Sequence, residues 1–401
     1  MAFFSHFCAL FTSFIEKNYS MKSYLLSFSF LLFVSLGLFT AFTVSCQSEQ
    51  SAETTPSIVE TPKPIAVKDT VAKKEQIKLL NIIGVGDMML GTNYPSPSYL
   101  PPQGGATMLA DVKEILQDAD VTFGNLEGTI LNEGGTAKRC SNPSLCYVFR
   151  SPESYVQHFA DAGFDVLSIA NNHSGDFGPV GRKKTKQVLD EAGIAYAGLQ
   201  GTDEMTSFTK NGVKYGFAAF APNSGTVDIR NISRAKEILA KLEAENDIVI
   251  VSFHGGAEGA KNQNVPRKTE TYYGENRGDV YKFAHAVVDA GADIVFGHGP
   301  HVTRALDLYK NRFIAYSLGN FCTYGRFNVR GAAGIAPLIK VTTDEYGGFV
   351  HAQITPVYQQ KTHGPKVDPE KRAIKKLQEL TAQDFPESQL RILDDGLVLK
   401  K

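Results

Sequence analysis

The sequence predicts an α/β fold with mixed sheets. Short apolar runs of strand character alternate with segments of helical periodicity through most of the chain, the pattern of a substantially parallel sheet. Two helix-to-strand joints echo each other, Asp161-Ala-Gly-Phe-Asp-Val-Leu and Asp289-Ala-Gly-Ala-Asp-Ile-Val. The last apolar runs, 335–342 and 348–357, look antiparallel and point to a mixed or two-sheet core.

Taken in order, 79–85 reads as a strand that ends in Gly86-Asp87, and 107–117 has helical spacing. A short strand at 121–123 leads to Gly124-Asn125-Leu126-Glu127, and another spans 147–150. Pro152 opens a helix that Gly163 closes, the usual polarity of these two residues. The apolar run 164–170 then breaks into Asn171-Asn172-His173-Ser-Gly-Asp176, where Gly175 and Gly178 keep the chain in a loop. A helix at 180–192 and strands at 194–199 and 214–220 follow. The helix 233–245 precedes a strand at 247–253 that ends in His254-Gly-Gly. The helix 279–290 precedes a strand at 293–296 that ends in Gly297-His298-Gly299-Pro300-His301. The run 313–317 leads to Leu318-Gly319-Asn320, and 369–382 reads as a closing helix.

Five strand ends therefore carry groups that can bind metal or move protons: Asp87; Asn125 and Glu127; Asn172, His173 and Asp176; His254; His298 and His301. In open α/β sheets ligands bind at the carboxyl ends of strands. Each group alone has an ordinary explanation, such as a turn cap for Asp87 or a tight turn for the last two histidines. Their coincidence at strand ends argues for one site. The ligands are nitrogen and oxygen without thiolate, which suits Mn, Fe or Zn. The set is large enough for one or two ions, and two would sit about 3.5–4 Å apart. A histidine outside the ligand set could protonate a leaving oxygen. His285, within an apolar helical run, reads as structural.

Composition excludes other classes. The chain has 401 residues, 43% hydrophobic and 21% charged, with a formal net charge of -1. These are globular values, and near-neutrality without a long basic run speaks against nucleic-acid binding. Trp is absent, which rules out a Trp-lined sugar platform. No G-x-S-x-G elbow, phosphate-binding G-x-x-x-x-G-K-[ST] loop or H-E-x-x-H helix occurs.

Residues 1–46 read as a targeting segment. From Met21, a short basic start and an apolar stretch end in small residues before Cys46, which resembles a bacterial lipoprotein signal with Cys46 lipidated. The alternative is an uncleaved membrane anchor, since about 20 apolar residues suffice to span. Either places the rest outside the cytoplasmic membrane. Residues 47–76, rich in Ser, Thr, Pro, Glu and Lys, read as a disordered tether. The folded domain is expected at 77–360, with 361–401 a helix and tail packing on it. In such a compartment Cys140 and Cys146 are expected to form a disulfide that staples a small loop. Cys322 reads as a buried free thiol.

Six motifs occur in order: Gly86-Asp87-Met-Met-Leu; Asn125-Leu-Glu127-Gly; Ala170-Asn171-Asn172-His173 with Asp176 and Gly178; His254-Gly-Gly with Glu258; Gly297-His298-Gly-Pro-His301-Val; and Tyr316-Ser-Leu-Gly319-Asn320-Phe. Together, over 79–359, they resemble the poly-γ-glutamate capsule-synthesis family (CapA-like proteins), itself similar to calcineurin-like metallophosphoesterases. The resemblance implies a four-layer α-β-β-α sandwich. It implies metal held by Asp87, Glu127, Asn172, His254 and the pair His298 and His301, with His173 as general acid; Asp176 would orient His173. Substrate contacts would fall to Asn125, Arg150, Glu258, Arg304 and Asn320. Three motifs depart from the phosphoesterase pattern. Asp-x-His is here Asp87-Met88-Met89, Asn-Leu-Glu replaces Gly-Asp-x-x-Asp, and Gly-His-x-His becomes Gly-His-Gly-Pro-His.

The expectation is an extracytoplasmic, lipid-anchored, metal-dependent hydrolase acting on an acidic polymer or phosphoester in capsule or envelope polymer biosynthesis. An amidase would use the same site. A non-catalytic subunit that holds polymer beside a membrane synthase is the alternative.

Overall fold

The computed structural model describes residues 77–140, 142 and 146–401. Cys46, the expected leader and the expected tether lie outside the described residues. The first part of the fold runs β1 (Leu79–Met89), α1 (Lys113–Gln117), β2 (Val121–Leu126), β3 (Thr129–Ile130), β4 (Arg150–Ser151), α2 (Val156–Ala162), β5 (Val166–Ser168), α3 (Gly178–Glu191) and β6 (Ala195–Ala197). The second runs β7 (Met205–Lys210), β8 (Val213–Phe220), α4 (Ile232–Glu245), β9 (Ile248–His254), the hairpin β10 (Thr271–Tyr272) and β11 (Glu275–Asn276), α5 (Val280–Val288), β12 (Ile294–His298), β13 (Leu306–Tyr309) and β14 (Arg312–Ala315). The last runs β15 (Asn320–Thr323), β16 (Ile335–Asp344), β17 (Phe349–Gln360), β18 (His363–Val367), α6 (Arg372–Asp384), β19 (Leu390–Ile392) and β20 (Leu397–Lys400).

Two sheets stack face to face. One has ten strands along the path β19-β20-β17-β16-β1-β2-β5-β6, with β15 on β1 and β18 on β17. The other has six, β13-β14-β12-β9-β8-β7. Successive residues of β1 divide between cores: Ile82 faces the inter-sheet cluster with Phe123, Phe217 and Phe296, while Ile83 joins the outer cluster with Phe159 of α2 and Leu189 of α3. Leu239 of α4 and Phe283 of α5 cover the outer face of the six-stranded sheet. The result is the four-layer α-β-β-α sandwich that the resemblance implied. Phe123 and Phe296 stack between the sheets, centroids 5.3 Å apart and nearly parallel. Such an aromatic pair contributes about 0.5–1.5 kcal/mol beyond its buried area.

Parallel pairing brings carboxyl ends together. β1, β2, β5 and β6 are mutually parallel, as are β8, β9, β12 and β14. At its far end β1 also pairs in parallel with β15, so Asp87 lies opposite both Asn125 and Asn320. Gly86 permits this. A Cβ there would fall 2.0 Å from the Gly319 carbonyl oxygen, the acceptor of the Asp87 N–H.

Several elements differ from expectation. The helix expected at 107–117 is a 3-10 turn, Ala110–Val112, followed by only five α-helical residues. The helix opened by Pro152 begins as a 3-10 turn, Glu153–Tyr155, before α2. The segment after 360 adds more than a helix: β18 and β20 both pair with β17, and β19 with β20. Their alternation is too short to stand out in the sequence, and β17 supplies the edge that orders them. Cys140 and Cys146 are bonded, and Cys322 is free and buried. Among the described residues, no helix is long and apolar enough to cross a membrane.

Candidate metal centre

The carboxyl ends of both sheets meet at Asp87. This residue is fully buried at the end of β1. Its Oδ1 accepts from Asn125 Nδ2 at 2.8 Å and lies 3.2 Å from His298 Nδ1, and its Oδ2 lies 2.9 Å from His301 Nδ1. His298 ends β12 in register with His254 at the end of β9. Glu127, just beyond β2, is fully buried and has His301 Nε2 at 3.5 Å and His173 Nε2 at 3.9 Å from its Oε1. Asp87, Glu127 and His301 each offer a ligand atom, and those atoms lie within 4.8 Å of one another.

The turn that delivers His301 depends on glycine. Gly299 has φ +113°, and a Cβ there would meet the Gly255 carbonyl oxygen at 2.7 Å and its nitrogen at 2.8 Å. His301 itself has φ 57°, a conformation uncommon for a residue with a side chain.

The donor set fits a metal ion on one independent observation. Both Glu127 carboxylate oxygens, both His254 ring nitrogens, His298 Nε2 and Asn172 Oδ1 are buried without a hydrogen-bond partner. Buried polar groups are normally satisfied, and each unpaired one costs about 1–3 kcal/mol. Glu127 and His298, which lie against His301 and Asp87, share this cost with His254, in register with His298, and a divalent cation would relieve it. The set holds nitrogen and oxygen only, the chemistry of Mn, Fe or Zn sites.

Electrostatics agree. Burial raises the Asp87 carboxyl, but hydrogen bonds from His298 and His301 outweigh it and hold it well below the usual range. Burial pushes Glu127 well up. Burial lowers His254 far below the ordinary imidazole, leaving it neutral, the form that binds metal. For His301, burial is overcome by the Glu127 carboxylate and by the Asp87 hydrogen bond and charge, which push it up to about 10. Thus His301, as imidazolium, carries positive charge between the two carboxylates.

Beside this cluster, His173 Nδ1 lies 2.8 Å from Asp176 Oδ2. An ionised carboxylate only accepts, so Nδ1 carries the proton and Nε2 is the atom nearest Glu127. Burial lowers the His173 pKa. Asp176 is fully buried and accepts a 2.6 Å bond from the Phe149 backbone N–H. Lys138 Nζ lies 2.5 Å from Asp176 Oδ1, and donates to the Asn172 carbonyl at 3.0 Å. The Phe149 ring packs on His173 with centroids 4.3 Å apart. Lys138 and Phe149 flank the Cys140–Cys146 disulfide in sequence, so residues on either side of the bridge hold the His173–Asp176 pair.

The other residues named from the sequence divide. Asn125 positions Asp87 and is itself held by Asn171, whose Nδ2 donates to Asn125 Oδ1 at 3.2 Å and to the Leu126 carbonyl at 2.9 Å. Asn320 Nδ2 donates to the Ala333 carbonyl at 3.1 Å, tying down the segment after β15, while its Oδ1 has no partner. Glu258 accepts from Arg277 Nη2 at 2.8 Å. Two arginines have internal partners. Arg304 is fully buried and bidentate to Glu270, at 2.8 and 2.7 Å, and its Nε donates to the Asn262 carbonyl. Arg150 Nε donates to Asn93 Oδ1 at 2.6 Å, and its guanidinium lies over the Phe177 ring. Internal acceptors take up the Arg304 guanidinium, whereas the half-buried Arg150 has Nε on Asn93 and only a 3.5 Å contact from Nη1 to the Gly134 carbonyl.

Sequence reasoning missed Lys138, Arg277, Phe149 and Phe327, and gave Asn171 no role. Phe327 stacks on Phe149 at 5.1 Å and packs edge-on against His301 at 5.5 Å. The neighbouring cysteine was the one signal for Lys138, two residues before Cys140.

Residues 81–324 match the family described as bacterial capsule synthesis protein PGA_cap. The capsule biosynthesis protein CapA of Bacillus anthracis is 29% identical over 270 residues, covering 62% of this chain and 61% of that protein. The PGA biosynthesis protein CapA of Bacillus subtilis is 30% identical over 285 residues, covering 65% and 66%. The chain thus spans under two thirds of the length of these relatives. Among solved structures, the NAD nucleotidase of Haemophilus influenzae aligns with a TM-score of 0.39 at 11% identity, over 77% of this chain and 56% of that one.

Proposed function

The chain belongs to the bacterial capsule synthesis family PGA_cap, and from that premise we propose that it is a metal-dependent hydrolase acting on an acidic polymer or phosphoester in polyglutamate capsule or envelope polymer biosynthesis. The names of the CapA relatives support the process. The reading includes a lipid anchor at Cys46 and an extracytoplasmic location, which the sequence pattern supports. One observation carries the chemistry: the unpartnered buried atoms of Glu127, His254 and His298 beside the Asp87–His301 pair.

In this reading Asp87, Glu127, His301, His254, His298 and Asn172 hold one or two divalent transition ions. Such an ion would supply Lewis acidity toward a phosphoryl or carbonyl oxygen. His173 moves the proton. Asp176 fixes its Nδ1–H and leaves Nε2 to face the Glu127 side of the cluster. With its pKa lowered by burial, the imidazolium is a strong acid when it forms and hands its proton to the leaving oxygen. Lys138 balances the Asp176 charge, while Phe149 packs on His173 and Phe327 packs edge-on against His301.

A second reading, a non-catalytic subunit that holds polymer beside a membrane synthase, is favoured by Met89. At the position of the histidine of the Asp-x-His motif the chain places a buried thioether side chain, Met89. Reconstitution with Mn, Fe or Zn, followed by assay on phosphoesters and γ-glutamyl polymers, separates the two. Turnover that disappears in folded His173→Ala supports the hydrolase. A metal-loaded wild type inert on both substrate classes supports the holding role.

A further inference from the structure

Arg277 is a buried cation with donors left over. It is 5% exposed. Its Nη2 donates to Glu258 Oε1 at 2.8 Å, and its Nε lies 3.3 Å from Glu275 Oε2 without forming a hydrogen bond. Nε and Nη1 are both buried without an acceptor. A guanidinium has five N–H donors in a fixed plane, and leaving charged donors dry is costlier than leaving neutral ones. Neutralising Glu258 does not explain the arrangement, because Nη2 alone does that and a lysine would serve.

The position of Arg277 suggests what the spare donors are for. Gly256 N–H donates to the Arg277 carbonyl at 3.0 Å, which ties the residue to the turn after His254. The charge of Arg277 acts on His254, and that of its partner Glu258 acts on Glu127 and His301. Arg277 is thus anchored beside the turn that leaves His254, whereas His173 lies on the Glu127 side of the centre. The Tyr272 ring of the β10–β11 hairpin lies 5.7 Å from the guanidinium carbon. The hairpin tip, Tyr273, is exposed. A polar cavity of about 280 Å³ is lined by Asn223, Ser224 and Arg230, which follow β8, and by Glu275 and Asn276 of the hairpin.

We propose that Arg277 is the anion anchor of this centre: its unpaired Nη1 takes an oxygen of a carboxylate or phosphate group on the substrate, and the Tyr272 hairpin shifts to admit it. This rests on the reading of the site as one that handles an anionic substrate. Carboxylate and phosphate share the recognition chemistry, since guanidinium matches both geometrically.

The test titrates inorganic phosphate and glutarate separately into full-length wild type, Arg277→Gln, Arg277→Lys and Tyr272→Ala by calorimetry. Each protein is used with and without added Mn, and metal content and circular dichroism are recorded in parallel. Wild type should bind at least one anion, with affinity falling tenfold or more in Arg277→Gln and less in Arg277→Lys, while metal content stays unchanged. Loss confined to phosphate assigns a phosphoester, and loss confined to glutarate assigns a carboxylate-bearing substrate. Should Arg277→Gln fail to fold, Tyr272→Ala decides: uncovering the guanidinium should tighten or speed anion binding. Wild-type affinity in folded Arg277→Gln, no anion binding by wild type in either metal state, or no effect of Tyr272→Ala where it must decide overturns the proposal. Absence of metal from wild type would instead sink the metal-centre reading, because the anion arms are also read on metal-free protein.

Discussion

Asp87 Oδ2 and His301 Nδ1 lie 2.9 Å apart, joined across 214 residues of chain. One ends the first strand of the ten-stranded sheet, and the other follows the β12 strand of the six-stranded sheet. The pair therefore closes the sandwich at its carboxyl edge. His301→Ala should lower Mn or Zn affinity by at least about tenfold, since even outer-shell changes cost about 10–100-fold. Calorimetric metal titration checks this, with circular dichroism to show retained structure.

The charge state of the same cluster predicts proton release. His301 is raised to about 10, so near pH 7 the metal-free protein holds a proton there. Ligands must be deprotonated to bind metal. Metal binding through His301 should therefore release about one proton, and affinity should rise with pH across the neutral range. Titration in two buffers of different ionisation enthalpy measures the number. An affinity flat from pH 6 to pH 8 contradicts this assignment.

Gly299→Ala should be far more damaging than one added methyl suggests. The new Cβ would meet the Gly255 backbone at 2.7–2.8 Å in a conformation that disfavours side chains. Both His254 and His301 flank that contact. Metal affinity should fall together with thermal stability.

The general-acid assignment predicts that His173→Ala lowers turnover by about 10²–10⁴-fold while folding and metal content persist. Asp176→Asn should cost less, because it leaves the imidazole in place but removes the carboxylate that fixes Nδ1–H. Equal metal content with wild-type turnover in His173→Ala would remove His173 from the mechanism.

The disulfide supports the site as well as the fold. Closing so short a loop contributes about 2 kcal/mol in the chain-entropy view. Cys140→Ser with Cys146→Ser should lower the melting temperature and, by loosening Lys138 and Phe149 from Asp176, lower turnover too. Thermal melts and assays with and without reductant test both effects.

What was legible in the sequence follows from these contacts. Asp87, Glu127, Asn172, His254, His298 and His301 stood out because an apolar parallel strand ends abruptly in polar residues, a local and one-dimensional signal. Asn125 sat in the same pattern, but its partner Asp87 is 38 residues away, so its supporting role needed the register of β1 and β2. The internal partners of Arg150 and Arg304 were hidden for a related reason. Charge is visible in sequence, whereas the acceptors that consume it, Asn93 and Glu270, come from other loops. Lys138 and Arg277 lie in irregular segments where periodicity says nothing. The strands after 360 were hidden because short edge strands take their order from β17 more than from their own residues.

The most direct measurement is the metal content of the purified, reconstituted chain beside Glu127→Gln. The account predicts about one to two transition ions per wild-type chain and a large loss of bound metal in the variant, with circular dichroism unchanged. Wild-type protein that holds well under one ion per chain, whatever metal is supplied, would contradict it.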